Sequence, residues 1–296
     1  MNMWLLFAVG SAFFSGITAI LAKCGIRKTD STVATAVRTV VVLLFSWLMV
    51  FIVGSEAEIG SMSAKTVVFL ILSGIATGAS WLCYFKALQT GDINKVVPID
   101  KFSTVLTMLL AMIFLNEGMS LLSAAAIVLI SAGTFLMIQK QNTDFNRSDK
   151  NDKSWLIYAV LSAVFAALTS ILGKVGIENV ESNLGTAIRT CVVLVMAWLM
   201  VFVTGKTGEV RQIPRKDLLF ICLSGFATGG AWLCYYKALQ DGPASVVVPV
   251  DKLSILITIL FSYIVFKEKL SKKSLFGLLL IVVGTICMVI PAMFHP

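Results

Sequence analysis

Histidine is almost absent from this chain of 296 residues: His295, next to the C-terminus, is the only one. Without imidazoles the chain loses the commonest general acid–base group and the commonest metal ligand. No Gly-x-Ser-x-Gly, no cluster with metal-ligand spacing and no Gly-rich phosphate loop is present either. Neither an enzyme nor an ATP-driven machine is therefore expected, and no cofactor or metal is called for. Charge is scarce as well, at 14% of residues against about 25% in an ordinary soluble domain. The six cysteines (Cys24, Cys83, Cys191, Cys222, Cys234 and Cys287) lie in or beside apolar runs and form no Cys-x-x-Cys pair. They read as small buried hydrophobes rather than disulfides or ligands.

Apolar residues fill the space that charge leaves. They make up 58% of the chain, and the mean hydropathy is +0.91. Such a chain cannot cover itself with a water-compatible surface, and its runs repeatedly reach the ~20 residues that cross a bilayer as helix. The fold class expected is an all-α integral membrane protein. Ten transmembrane helices are read at residues 3–22, 32–54, 66–89, 95–116, 121–139, 154–173, 183–205, 217–239, 246–267 and 272–292. The runs are too long for the strands of a barrel, which leaves helices to satisfy the backbone in hydrocarbon. The opening "MNMWLLFAVG" has no basic region and no cleavage site, so it is taken as the first helix rather than a leader.

The chain is a duplication. Residues 3–139 align with 154–290 at a constant offset of 151 and no gap, with 62 of 137 positions identical. The organisation expected is a first five-helix repeat (1–139), a polar cytoplasmic linker (140–153) and a second five-helix repeat (154–296). Five is odd, so the second copy must enter the membrane inverted. The basic residues agree: the even-numbered loops hold Lys65 and Lys174, and the odd-numbered loops hold sixteen. By the positive-inside rule the odd loops are cytoplasmic and both termini lie outside. The loops thus account for the net charge of +8, and no nucleic-acid partner is needed. One fused chain supplies what a single unit would need a dimer for, so a monomer is expected.

Two segments carry the most specific pattern. They are "YFKALQTGDINKVVPIDKFSTVLTMLLAMIFLNEGMS" and "YYKALQDGPASVVVPVDKLSILITILFSYIVFKEKLS". Each joins a Tyr/Ala/Leu-rich span end, a short turn, an early Pro in the next span and a closing Glu. In this the chain resembles the EamA family of the drug/metabolite transporter superfamily over nearly its whole length. The resemblance implies a secondary transporter of small metabolites, often an exporter, with inverted repeats around a central cavity. It implies no particular substrate.

Charged groups inside spans are costly and mark pathways. Arg38, Asp100 and Lys101 repeat as Arg189, Asp251 and Lys252. In an inverted pair the same cluster falls near each face, so Asp100 with Lys101 or Arg38, and Asp251 with Lys252 or Arg189, are read as alternating ion-pair gates. Static ion pairs and carbonyl bracing remain open for them. The polar stripe Asp100, Ser103, Thr107 and its copy Asp251, Ser254, Thr258, extended to Ser262, shares a helix face and reads as a cavity wall. Back-bonding to the helix's own carbonyls is the competing reading. Trp81, Tyr84, Trp232 and Tyr235 are further cavity candidates, against a role as interfacial belt residues. Gly74-x-x-x-Gly78 and Gly225-x-x-x-Gly229 read as helix-packing faces. Lys86, Lys237, Lys23 and Lys174 read as snorkelling or interfacial anchors. Glu117 and Glu268 read as starting a turn, and Pro98 and Pro249 as sitting in a first helical turn. The surplus of positive charge favours a substrate with an anionic group, such as an amino acid or other carboxylate. Asp100 and Asp251 are candidate proton carriers, because burial raises and a neighbouring cation lowers a carboxyl pKa. A lipid or lipid-carrier translocase of the same fold is the rival function.

Overall fold

The computed structural model describes residues 3–26, 28–90, 93–118, 120–137, 154–266 and 271–294. They form twelve α-helices, two 3₁₀ turns and, among the described residues, no strand. The helices are α1 (Met3–Gly25), α2 (Ser31–Val53), α3 (Ala64–Thr90), α4 (Ile93–Lys101), α5 (Ser103–Phe114), α6 (Leu121–Met137), α7 (Ser154–Gly176), α8 (Ser182–Val203), α9 (Arg215–Asp241), α10 (Ala244–Lys252), α11 (Ser254–Phe266) and α12 (Lys272–Phe294). Among the described residues, seven helices (α1, α2, α3, α7, α8, α9 and α12) and the stretch Ala244–Phe261 across α10 and α11 are long and apolar enough to cross a membrane, and α6 is a shorter apolar helix. The linker 140–153, Glu268 and His295 lie outside the described residues, as do the side chains of Pro98 and Ser262.

Helix ends follow the residues that cap them. Asp30 accepts the Thr32 and Val33 amides at the start of α2, at 2.8 and 3.3 Å. Its counterpart Glu181 accepts those of Asn183 and Leu184 at the start of α8, at 2.9 and 3.0 Å. Each satisfies donors that a helix N-terminus leaves open. Gly54 ends α2 at φ 76°, a left-handed position where a side chain would be strained.

The fourth and ninth expected spans are not single helices. Each breaks after its Asp-Lys pair, at Phe102 and at Leu253. There the Phe102 amide reaches back only three residues, to the Ile99 carbonyl at 3.1 Å, and Leu253 does the same to Val250 at 3.0 Å. Pro249 falls in the second turn of α10 rather than its first, where a missing N–H removes a helical bond and the ring crowds the preceding turn.

Burial is inverted relative to a water-soluble protein. Ser11, Ser73, Ser162, Thr186 and Thr190 are buried, while Leu44, Phe51 and Val203 are each more than 60% exposed. Small hydroxyl residues inside and large apolar ones outside suit a hydrocarbon solvent.

The chain divides into two compact units, and each draws on both sequence repeats. One takes Met1–Gly78, Leu172–Gly242 and Val250–Glu268; the other takes Ala79–Ile171, Pro243–Pro249 and Lys269–Pro296. In the first, α1 packs along α9 and α11, and α2 along α8 and α9. The glycine faces pack as expected. A Cβ on Gly74 or Gly78 would overlap Val192 or Met196, and one on Gly225 or Gly229 would overlap Val41 or Phe45. In the second unit α6 lies along α12, close enough that a Cβ on Gly133 would stand 2.5 Å from the Gly277 carbonyl oxygen.

Candidate functional site

The most unusual side chain of the first unit is Arg189. It leaves α8 two turns after the Glu181 cap and is only 2% exposed. Nε donates to Ser73 Oγ at 2.9 Å, and Nη2 donates to Thr77 Oγ1 at 2.6 Å, both on α3. The guanidinium stacks over Trp232 at 5.1 Å and over Tyr236 at 4.8 Å from the ring centroids. Ser73 is also a hydrogen-bond partner of Tyr236. Gly173 makes room for this arrangement, since a Cβ there would stand 2.6 Å from the Tyr236 ring and 3.2 Å from Ser73 Oγ.

No carboxylate pairs with this guanidinium among the described residues, and buried Nη1 has no hydrogen-bond partner. Burying an unpaired charge costs several kcal/mol even after relaxation. Two hydroxyls and two ring faces offset part of that, a desolvated cation–π contact contributing about 2 kcal/mol.

The aspartates are held differently. Asp251 Oδ1 accepts from Ser11 Oγ at 2.6 Å and from Ser15 Oγ at 3.3 Å, both on α1. Lys252 Nζ lies 3.9 Å from Asp251 Oδ2 and is half exposed. In the second unit Asp100 Oδ1 accepts from Ser162 Oγ at 3.0 Å, and Ser80 donates to the Ser162 carbonyl. The sequence offset pairs Ser11 with Ser162, so the Ser–Asp bond is made in both halves.

The remaining candidates divide. Arg38 is half-buried and donates through Nη2 to Thr35 Oγ1 of its own helix at 3.3 Å. Thr107 and Thr258 back-bond to the carbonyls of Ser103 and Ser254, at 2.9 and 3.1 Å. Lys101 is exposed, and Trp81 is half-buried. Tyr84 packs on a small apolar cluster of Ala87, Val96 and Ala159. Trp232 joins Arg189, and Tyr235 meets Tyr236 edge to face at 5.3 Å. Lys237 bonds Gln240 and Asp241 at the end of α9, and Lys174 donates to the Gly242 carbonyl.

Glu117 does more than begin a turn. Its Oε1 and Oε2 accept the Ala244 and Ser245 amides at 2.6 and 2.8 Å, capping α10. Sequence reasoning also passed over Ser73, Thr77, Tyr236, Ser11 and Ser162. A signal was available for the hydroxyls: Ser73, Thr77 and Ser11 recur unchanged as Ser224, Thr228 and Ser162 inside apolar runs. Among the described residues no group of three or more His, Cys, Asp or Glu gathers as a metal site.

A helical protein with an apolar exterior and a polar interior fits a membrane transporter, and the comparisons define which kind. The EamA-like transporter family model matches twice, over residues 2–139 and 153–290, and the chain belongs to that family. A relative from Sinorhizobium sp, an "Uncharacterized transporter in cobO 3'region", is 40% identical over 138 residues, covering 47% of this chain and 98% of its own. The mouse "Solute carrier family 35 member G1" is 25% identical over 96% of this chain and 77% of its own. An "Uncharacterized protein MJ1333.1" from Methanocaldococcus jannaschii is 27% identical over 137 residues, 93% of its length. A solved crystal structure superposes with a TM-score of 0.75 over 98% of this chain and 97% of its own, at 16% identity, and so shares the fold.

Proposed function

We propose that the chain is a secondary transporter of a small metabolite bearing an anionic group, an amino acid or organic anion, with export as its direction. It works by alternating access between two inverted five-helix repeats. In this reading α4 with α5 and α10 with α11 form the fourth and ninth of ten spans in the inner (plasma) membrane, with both termini outside. The two relatives whose lengths are about one repeat support the duplication. The ion pair of Asp251 with Lys252, half open at 3.9 Å, acts at one end of the pathway. Asp100 and Lys101 act as its mirror image.

One observation carries the substrate class: Arg189 is buried with a vacant donor and no acidic partner. A carboxylate at Nη1 would supply the missing charge in a dry site, where charge-assisted bonds are strongest. Thermal stabilisation of the purified protein tests this against amino acids, organic acids, organic cations and lipid-carrier head groups, with Arg189→Gln and Asp251→Asn in parallel. Stabilisation by acids in the parent protein, lost in Arg189→Gln, is expected. A response to organic cations alone would overturn the anionic class, and a response to lipid head groups alone would move the assignment to a translocase.

A further inference from the structure

Arg38 and Arg189 occupy the same position of the two repeats, as do Ser73 with Ser224 and Thr77 with Thr228. The backbones beneath them are packed alike. A Cβ on Gly74 would stand 3.1 Å from the Arg189 carbonyl oxygen, and one on Gly225 would stand 3.2 Å from that of Arg38. Both threonines also turn their hydrogens the same way: Thr77 donates to the Ser73 carbonyl at 3.0 Å and Thr228 to that of Ser224 at 2.7 Å. Each hydroxyl oxygen is thereby presented as an acceptor. Ser224 and Thr228 thus repeat the hydroxyl pair that seats Arg189. The second seat is similar rather than identical: Ala22 stands where Gly173 does, and Thr228 Oγ1 also lies 3.4 Å from Thr18 Oγ1.

Only one is taken. Arg189 sits on Ser73 and Thr77, whereas Arg38 bonds Thr35 on its own helix, its one side-chain bond among the described residues. The Ser–Asp bonds, in contrast, are made in both halves together, Ser11 to Asp251 and Ser162 to Asp100. In a protein built from inverted copies, a contact made in both halves at once cannot distinguish its two states. A contact made in one half can.

We infer that the two arginines form an alternating latch: Arg189 on Ser73 and Thr77 holds one state, and Arg38 on Ser224 and Thr228 holds the other. Each seated guanidinium carries the cost of a buried charge with no counter-ion, and the inverted repeats exchange the environments of the two halves, so a seat filled in one state is empty in the other. An anion at Arg189 Nη1 would relieve the cost on its own side, so cargo binding and latch position are thermodynamically coupled. The latch rests on the alternating-access reading and specifies the side chains that set its two states. Arg38 and Arg189 are in this respect positioning residues as well as candidate anion contacts.

Amide hydrogen exchange of the full chain in lipid nanodiscs, without added ligand, tests it. Ser224→Ala with Thr228→Ala removes the vacant seat. Exchange should slow in peptides around Arg189 on α8 and quicken around Arg38 on α2, by about fivefold each, the low end of ordinary coupling between sites. Ser73→Ala with Thr77→Ala should reverse both signs, and Thr77→Ser, which keeps the hydroxyl, should leave both unchanged. If removing the occupied seat prevents folding, the first pair decides alone, since its hydroxyls donate chiefly to carbonyls of their own helix. A change confined to the altered seat, or of one sign at both arginines, overturns the latch. The exchange readout needs no substrate, so it can fail while stabilisation by acids succeeds, and the reverse.

Discussion

Arg189 separates a binding residue from a structural brace by the direction in which its loss moves stability. A brace that satisfies helix carbonyls leaves holes when removed and lowers stability. A buried charge waiting for its counter-ion is itself a burden, and replacing it with an apolar side chain of similar length relieves that burden by about 1–2 kcal/mol. Arg189→Met is therefore expected to raise the melting temperature and to abolish stabilisation by acids; a lower melting temperature would make Arg189 a brace. The sequence marked Arg189 as costly but not what would seat it. Ser73 and Thr77 lie more than 100 residues away on another helix, and a serine or threonine in a helix reads equally well as a local back-bonder. Thr107 and Thr258 have the same residue type and do bond their own helices.

Helix ends carry the acids that the interior avoids. Glu117 closes the N-terminus of α10 with two bonds to amides. Glu117→Ala should cost about 1–2 kcal/mol, the range for losing a cap and its charge, seen as a lower melting temperature. Asp30 ties the start of α2 to Lys206 at 2.5 Å. Burial alone would raise its pKa, but the Lys206 bond, the two capping amides and the Lys206 charge outweigh it and hold the carboxyl below its ordinary value. The sign follows: a depressed carboxyl stabilises the fold above its unfolded-state pKa, and that contribution is lost as pH falls through the folded value. Asp30→Asn should accordingly flatten the acid limb of a stability-against-pH curve, and an unchanged limb would remove Asp30 from the acid response. Most element boundaries were legible, because apolar runs and capping acids are local signals. The breaks at Phe102 and Leu253 were not, although Pro98 and Pro249 stood nearby, since a proline early in a run can equally be a harmless helix start.

At the scale of the whole molecule, the duplication and the membrane class were plain from repeated apolar runs, while the sorting of helices into compact units was not. Periodicity says that a helix is apolar on one face and nothing about which partner covers it. α1 of the first repeat is packed along α9 of the second, so neither half covers itself. Cutting the chain within 140–153 and expressing the halves together should give a protein that co-purifies and melts like the intact one. Either half alone should be aggregated or degraded, and a well-folded isolated half would contradict that packing. Fusion has a further consequence, visible at Tyr236. Its hydroxyl is a partner of Ser73 beside the seated guanidinium, and the aligned residue of the first repeat is Phe85. A homodimer of one repeat must offer two mirror-image conformations of equal energy. A fused pair can spell its two halves differently, so under the proposed alternating access its two empty states need not be equal in energy.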